Sequence, residues 1–255
     1  MQFIDTHTHL YLPEFDTDRD EVVNRAVGSG ISIMLLPNID IKSADKMLSA
    51  VDRYPGICFP MIGLHPTSVK DDYISQLDKL ESLFVKHKFI AIGETGIDLY
   101  WDKTFLKEQI IAFRRQIAFA LDNKLPVVIH SRDSFPQVFS VLEEFEGKEL
   151  KGVFHAFSGN INDALSAIRM GFKLGIGGVV TFKNSGLDKI VKETGPGNLI
   201  LETDSPYLAP VPYRGKRNES SYICIINKKL AEIFGMHEED IASLMYMNST
   251  SLFKL

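Results

Sequence analysis

Residues 3–9 read FIDTHTH, a short apolar run followed by a turn that contains two histidines and no glycine. The run Phe3–Asp5 has the apolar character expected of a strand that is covered on both faces. A doubly wound dinucleotide-binding sheet would have a glycine-rich first turn at this point. The turn after Asp5 therefore favours a different arrangement of parallel strands.

Seven further apolar runs follow along the chain, at Ile31–Leu36, Cys58–Leu64, Phe89–Gly93, Pro126–Ile129, Gly152–Phe154, Phe172–Ile176 and Leu199–Leu201. Helical periodicity separates most of them and is clearest in Phe105–Lys124. Further helices are predicted at Asp18–Gly28, Ser43–Tyr54, Ser75–Lys86, Phe135–Phe145, Asn162–Met170, Tyr222–Phe234 and Glu238–Phe253. Eight strands alternating with helices predict a parallel sheet, and about 250 residues suit a closed (β/α)8 TIM barrel. We therefore expect an α/β fold with one domain over residues 1–255.

The composition is that of a globular protein and argues against several functional classes. The chain is 45% hydrophobic and carries a net charge of −5, so we do not expect nucleic acid to bind through a broadly basic surface. Two cysteines, Cys58 and Cys224, are too few for a disulfide framework. No signal peptide is evident, and no apolar stretch approaches the ~20 residues of a membrane span. We expect a cytoplasmic protein that does not contact membranes.

Residues of metal-binding type stand at the carboxyl ends of six predicted strands. They are His7, His9, His65, Glu94, His130, His155 and Asp204. In a barrel these ends meet at one mouth, where active sites are built. His7 and His9 are two residues apart in extended chain, so both imidazoles can reach one ion. Glu202, two residues before Asp204, is interpreted as facing outward to a helix.

Each of these histidines has a simpler interpretation when it is considered alone. A single histidine at a strand end is more often a hydrogen-bonded structural residue than a metal ligand. For an isolated His-x-His pair, the structural role and the metal-ligand role are about equally frequent. The combination of four histidines with Glu94 and Asp204 changes this balance, because an uncompensated buried carboxylate is costly. One metal ion, and more readily two, would explain all six residues. Glu94 is central in the barrel order and would bridge two ions ~3.5–4 Å apart.

The chain resembles the TatD-type metal-dependent hydrolases, a nuclease branch of the amidohydrolase-like barrels. The resemblance extends from FIDTHTHL at residues 3–10 to NSTSLF at 248–253. Its internal motifs are GLHP at 63–66, GETGID at 93–98, IHSRD at 129–133, FHAFSG at 154–159, LETDSPYL at 201–208 and RGKRNE at 214–219. Two positions differ from the common family pattern, since Ser220 stands where proline is frequent and Ala156 where cysteine is frequent.

The resemblance implies a two-metal site. One ion would be bound by His7, His9 and Asp204, and the second by His130 and His155. Glu94 would bridge the ions, at a position where many members of the wider superfamily carry a modified lysine. Glu94 and Asp204 would also be the catalytic residues, because Asp204 would orient a water and accept its proton as a bridging hydroxide attacks phosphorus. The ions could be Zn, Mn or Mg, since imidazoles suit the first two and carboxylates suit the last two.

The implied activity is hydrolysis of phosphodiester bonds in DNA, as a 3′-to-5′ exonuclease on single strands, with RNA also open as a substrate. A narrow barrel mouth fits a strand end better than an intact duplex. His65, Arg132 and Arg217 are the predicted substrate contacts, and no obligate protein partner is expected. Tyr100 and Trp101 are interpreted as packing at the rim.

Two other functions stay open at this point. The same ions could promote attack on carbon in another ester or amide, such as a lactone or the ester of aminoacyl-tRNA. The third possibility is a metal-binding protein without catalytic activity. Against it, all six predicted ligands are present, whereas loss of ligands would mark an inactive relative.

Overall fold

The computed structural model describes residues 1–255, in which eight short strands alternate with helices. The strands are β1 (Phe3–Asp5), β2 (Ile31–Pro37), β3 (Cys58–Met61), β4 (Ile92–Asp98), β5 (Val127–Arg132), β6 (Gly152–Phe154), β7 (Phe172–Ile176) and β8 (Leu199–Leu201). The helices are α1 (Arg19–Gly28), α2 (Ile41–Arg53), α3 (Tyr73–Phe84), α4 (Leu106–Asp122), α5 (Phe135–Glu143), α6 (Ile161–Arg169), α7 (Leu187–Thr194), α8 (Ile223–Phe234) and α9 (Glu238–Phe253). The predicted α/β class is confirmed.

All strands are parallel to their neighbours and follow one another in sequence order. Strands β1 to β3 form one ladder and β4 to β8 a second. At the first seam between the ladders, the N–H of Gly93 donates to the carbonyl of Ile62 at 2.8 Å. At the second seam, the N–H of Thr6 donates to the carbonyl of Leu201 at 3.2 Å. The strands thus meet around a ring, as the (β/α)8 barrel requires.

The end of the barrel near the strand N-termini is filled with apolar side chains. They come from seven of the eight strand regions and from the last turn of α9, namely Ile4, Leu35, Met61, Ala91, Val128, Val153, Ile200, Leu252 and Phe253. Close packing of this layer closes one end of the barrel axis. The polar side chains of the strands are consequently collected at the opposite end.

Strand β4 differs most from the sequence prediction. The apolar run predicted Phe89–Gly93, whereas the strand covers Ile92–Asp98. Its register shifts after Ile92, and its second half then pairs with β5 as far as Asp98 beside Arg132. Backbone pairing with β5 continues the strand through polar residues, which apolar character alone could not reveal. Glu94 therefore lies within the strand and not after its end.

Four smaller findings concern helix α7, strand β3, the two cysteines and the length of the helices. Helix α7 (Leu187–Thr194) was not predicted, although its buried Leu187 and Val191 have helical spacing, because the segment is only eight residues long. Strand β3 ends at Met61, earlier than predicted. Cys58 and Cys224 are free thiols, as expected. None of the helices combines the length and the apolar character needed to cross a bilayer.

Candidate metal centre

Five imidazoles surround one buried carboxylate at the mouth of the barrel. The carboxylate belongs to Glu94, whose side chain is 3% exposed. Its oxygens lie 3.3 Å from His7 Nε2, 3.8 Å from His9 Nε2, 3.4 Å from His65 Nε2, 2.8 Å from His130 Nδ1 and 3.5 Å from His155 Nε2. Residues up to 148 positions apart, from His7 to His155, thus meet within a few ångströms of Glu94.

The seam between β8 and β1 assembles one side of this cluster. His7 and His9 follow β1, and their Nε2 atoms are 3.3 Å apart. Asp204 follows β8, and its N–H donates to the carbonyl of His7 at 2.9 Å. This contact places Asp204 Oδ1 at 3.8 Å from His7 Nε2 and 3.5 Å from His9 Nε2. The residues predicted to bind the first ion are therefore close together.

The other side of the cluster is formed by β4, β5 and the segment after β6. The ring of His155 stacks on that of His7 with centroids 3.5 Å apart, and its Nε2 is 3.8 Å from Asp204 Oδ1. His130 lies farther along, with its ring centroid 6.4 Å from that of His155. By distance, His130 groups with Glu94 and His65, while His155 also groups with His7 and Asp204. His155 thus stands between the two sides.

Three of the imidazoles are oriented by a partner on the ring nitrogen that faces away from Glu94. His9 Nδ1 is 3.1 Å from the hydroxyl of Tyr11, which itself donates to the carbonyl of Pro37. His130 Nε2 is 2.9 Å from Asp98 Oδ2, and His155 Nδ1 is 3.1 Å from Glu202 Oε1. In each neutral ring the proton then faces this partner, and the other nitrogen presents a lone pair to the centre. Outer partners of this kind are typical of metal-binding histidines.

These orientations fit a bound cation. If His9, His130 and His155 are neutral, their lone pairs face those of Glu94, and acceptors that face acceptors need a proton or a cation between them. His7 Nδ1 is buried with no hydrogen-bond partner, and His155 Nδ1 has only its ion-pair contact with Glu202. A set of imidazole nitrogens and carboxylate oxygens suits Zn and Mn, and the carboxylates also suit Mg. The residues present therefore fit a divalent metal centre.

The charges of the centre support the same conclusion. Burial opposes ionisation of Glu94, but the rings of His65, His155 and His7 outweigh it and hold its pKa well below the usual value. Burial also opposes a proton on His155, but the carboxylates of Glu202 and Glu94 raise its pKa to about 10. Burial lowers the pKa of His7. Without metal, protons must therefore balance the carboxylates, and a metal ion binds by replacing them.

His65 has a different orientation from the ligand candidates. The N–H of Thr67 donates to His65 Nδ1 at 3.1 Å, so this nitrogen carries a lone pair. The neutral ring then holds its proton on Nε2, which faces Glu94 at 3.4 Å. A protonated nitrogen cannot bind a metal but can donate a hydrogen bond. Although distance alone would allow His65 as a ligand, its tautomer favours the predicted role as a donor to substrate.

A cavity of ≈ 800 Å³ opens above the cluster. His65 and Arg132, both predicted as substrate contacts, line it, and so do Arg214 and Lys216. Arg217 does not. Its guanidinium donates to both carboxylate oxygens of Asp18 at 2.7 and 2.6 Å and to the carbonyl of Glu14 at 2.7 Å. The structure therefore does not bring Arg217 to the site, because local ion pairing holds it on the outer side of its loop.

The interpretation of Glu202 as an outward-facing residue is wrong. Glu202 is 1% exposed, and its Oε1 accepts the N–H of Ala156 at 2.6 Å besides facing His155. The carboxylate fills the space above Gly175 that a Cβ would occupy there. The left-handed backbone of Ala156, with φ of 42°, turns this N–H toward Glu202. The hydrogen bond from Ala156 and the space above Gly175 fix this direction, and the sequence of β8 alone does not reveal either contact.

Replacing Glu202 by glutamine is expected to weaken metal binding about 10- to 100-fold, as is typical when a carboxylate partner of a ligating histidine is removed. The measurement is competition with a chelator of known affinity. Glu232→Gln on the exposed face of α8 makes the same chemical change away from the cavity and serves as the control. Equal affinities of the two variants would contradict an orienting role for Glu202.

Sequence reasoning did not identify Tyr11 and Asp98. Tyr11 stands two residues after His9 and Asp98 four residues after Glu94. Asp98 lies inside a motif that carries the resemblance and Tyr11 directly follows another, so their positions were available. Their roles depend on which nitrogen of a neighbouring ring they reach, and this is a property of the folded structure.

Comparisons with known proteins give consistent results. A family model described as TatD related DNase matches residues 4–254. YabD of Bacillus subtilis (strain 168), named an uncharacterized metal-dependent hydrolase, is 37% identical over 252 residues and covers 98% of each chain. The 3′-5′ ssDNA/RNA exonuclease TatD of Pantoea vagans is 29% identical over 257 residues, or 98% of this chain and 99% of the relative. The crystal structure of YjjV, a TatD homolog from Escherichia coli K12, has a TM-score of 0.92 at 26% identity and covers 99% of this chain and 98% of that one.

Proposed function

Because this chain belongs to the TatD-related DNase family of metal-dependent hydrolases, we propose that it is a 3′-to-5′ exonuclease that hydrolyses phosphodiester bonds in single-stranded DNA. The observation that supports this most is the buried Glu94 carboxylate within 3.8 Å of five imidazoles, under a cavity lined by cationic side chains. The 3′-to-5′ direction and the acceptance of RNA rest on the relative from Pantoea vagans. A cytoplasmic location and a single domain over residues 1–255 stay predictions.

Two divalent cations, Zn, Mn or Mg, are part of the proposal. His7, His9 and Asp204 would hold one ion, His130 and His155 the other, and Glu94 would contact both. When bound, such ions lower the pKa of water and offset negative charge on phosphoryl oxygens.

The other groups of the cavity have roles that follow from their positions. The Asp204 side chain is 13% exposed and faces the opening, where it can orient a water and accept its proton. His65 Nε2–H can donate to a phosphate oxygen. The guanidinium of Arg132 has no carboxylate partner and can bind phosphate as a fork. These residues supply orientation and proton acceptance at the scissile bond.

Free positive charge favours a nucleic-acid substrate over the uncharged alternatives. Arg132, Arg214 and Lys216 line the cavity, and none of them is within an ion-pair distance of a carboxylate. The protein as a whole is acidic, at −5, so these cations are a local feature. A polyanionic strand would be attracted by them, whereas a neutral lactone or a simple amide has no charge to pair with.

The test is digestion of a 5′-labelled single-stranded DNA by metal-stripped protein, with Mg, Mn or Zn added back. We expect a ladder that shortens from the 3′ end, requires metal and is missing with Asp204→Asn. If folded, metal-loaded protein leaves the strand intact but hydrolyses a carboxylic ester or aminoacyl-tRNA, the nuclease proposal fails and the alternative hydrolase takes its place. Metal binding without any turnover on these substrates would favour the non-catalytic alternative.

Replacing Arg217 by alanine is expected to leave kcat/KM on DNA within about twofold of wild type. Its pairing with Asp18 lies outside the cavity, so the change should lower the free energy of unfolding by ~1 kcal/mol or less. Lys216→Ala is the matched comparison. Lys216 is next to Arg217 in the chain but lines the cavity, so its loss should weaken DNA binding. A larger loss of DNA affinity with Arg217→Ala than with Lys216→Ala would reverse this assignment.

A further inference from the structure

Trp101 projects from the rim of the cavity with most of its ring uncovered. The residue is 69% exposed and its neighbour Tyr100 is 54% exposed. The two rings meet edge to face, with centroids 4.9 Å apart and planes at 90°. Their interpretation as rim packing is therefore wrong for Trp101, because no element of the protein covers it. Exposing a large aromatic ring beside a functional cavity leaves a favourable contact unmade, which marks a place where a ligand can bind.

The segment that carries the two rings is tied to the metal centre through one carboxylate. Asp98 Oδ1 accepts the N–H of Tyr100 at 3.0 Å and the N–H of Trp101 at 3.3 Å. The other oxygen, Oδ2, lies 2.9 Å from His130 Nε2. Asp98 therefore fixes the backbone that carries the two rings relative to His130. A ligand stacked on Trp101 would be held at a defined position beside the reacting phosphate.

A free cation lies next to the aromatic pair. The Arg132 guanidinium is 3.9 Å from the centre of the Tyr100 ring and 5.5 Å from that of Trp101. It has no carboxylate partner, and both Arg132 and Trp101 line the cavity. An aromatic face beside an unpaired guanidinium matches the alternation of base and phosphate along a single strand.

On the premise of the proposed function, we propose that Trp101, supported by Tyr100 and Arg132, is a binding subsite for one unpaired base of the substrate strand. The base stacks on the exposed indole face, and Arg132 binds the adjacent phosphate. A paired base has both faces covered by its neighbours in the duplex, so this subsite also selects for single strands. The preference is for an aromatic base and not for a particular sequence, because every base has a π face.

Trp101 is the one tryptophan of the chain, so its fluorescence reports on this subsite alone. The first measurement titrates the Asp204→Asn variant, loaded with Mn, with a six-nucleotide oligothymidine and with an abasic oligomer of the same length. The Asp204 change is chosen to prevent cleavage during the titration. We expect quenching by oligothymidine and little change with the abasic oligomer. Equal responses to both oligomers, or none to either, would overturn the proposal.

The second measurement compares the binding of the two oligomers by anisotropy in Trp101→Ala and Trp101→Phe. Loss of one stacked base is expected to weaken oligothymidine binding by Trp101→Ala about 5- to 100-fold, with phenylalanine restoring much of it. Binding of the abasic oligomer should be unchanged. Met247→Ala removes an exposed apolar side chain on α9 and is the control. If Trp101→Ala, folded by circular dichroism, binds both oligomers like wild type, the subsite does not exist.

These outcomes are independent of the nuclease test. Base-dependent quenching by a protein that hydrolyses no DNA would leave the subsite standing and refute the activity. Hydrolysis of DNA without quenching would do the reverse.

Discussion

Replacing Glu94 by glutamine is expected to lower kcat at least ~1000-fold and to deplete the purified protein of metal. Glu94 is the one group within 3.8 Å of all five imidazoles of the centre. Glutamine keeps the size of the side chain and one oxygen that can face His130. It removes the negative charge and the second oxygen, and with them the means of contacting two cations together.

The experiment measures kcat at saturating substrate together with the metal content of each protein by elemental analysis. Glu81→Gln is the control, because it makes the same chemical change at a partly exposed carboxylate that pairs with Arg115 on the outside of the barrel. We expect the control to keep both metal and activity. A Glu94→Gln protein with two ions bound and wild-type turnover would rule out a central role for this carboxylate.

Replacing Asp204 by asparagine is expected to lower kcat about 100- to 10,000-fold, the usual contribution of a positioned general base. Burial raises the pKa of Asp204, but His155, His9 and His7 outweigh it and lower the pKa below its ordinary value. The carboxylate is therefore ionised at neutral pH and ready to accept a proton. Asparagine has the same shape and cannot take that proton.

Asparagine is also the substitution with the smallest effect on the backbone. Asp204 has a φ of 57°, in the left-handed region that aspartate and asparagine tolerate better than other side chains with a Cβ. Alanine would add a backbone cost and confuse the result. We expect Asp204→Asn to keep the ions that contact Glu94, with KM changed less than about tenfold. Loss of all metal from Asp204→Asn would show that Asp204 acts chiefly as a ligand.

The two variants separate two parts of the mechanism. Glu94→Gln should lose metal and activity together, because the carboxylate joins the two sides of the centre. Asp204→Asn should lose activity while retaining metal, because His7, His9 and Glu94 would still hold the ion that Asp204 contacts. The same pattern in both variants would mean that the site cannot be divided in this way.

The positions of the ligand candidates were predictable because chemistry and topology coincide at strand ends. His7, His9, His130, His155 and Asp204 follow or end short apolar runs, and a parallel barrel gathers such ends at one mouth. Glu94 was predicted by the same argument, although it lies inside β4. Its strand continues because Gln116 and Gln109, buried on α4, provide partners for the polar residues beyond it.

Other features depended on contacts between distant segments. The N–H of Thr67 favours a proton on Nε2 of neutral His65, whereas distance to Glu94 alone would group His65 with the ligand candidates. Arg217 belongs to a loop with several basic residues that the sequence does not distinguish. Asp18, directly before α1, forms an ion pair with Arg217 and neutralises it. Hydrogen-bond direction and ion pairing at this level are set by three-dimensional neighbours.

The sequence by itself determined the eight strands, all helices except α7, the family and the candidate metal ligands, because these depend on local apolar patterning and on residue types at strand ends. Only the tertiary structure decided that Glu202 faces inward to His155, that Arg217 is turned away from the cavity and that Trp101 is left uncovered at its rim. The physical reason is that the direction of a side chain depends on the packing, hydrogen bonds and charges that surround it. Those surroundings come from segments far apart in the chain and exist only once the barrel has closed.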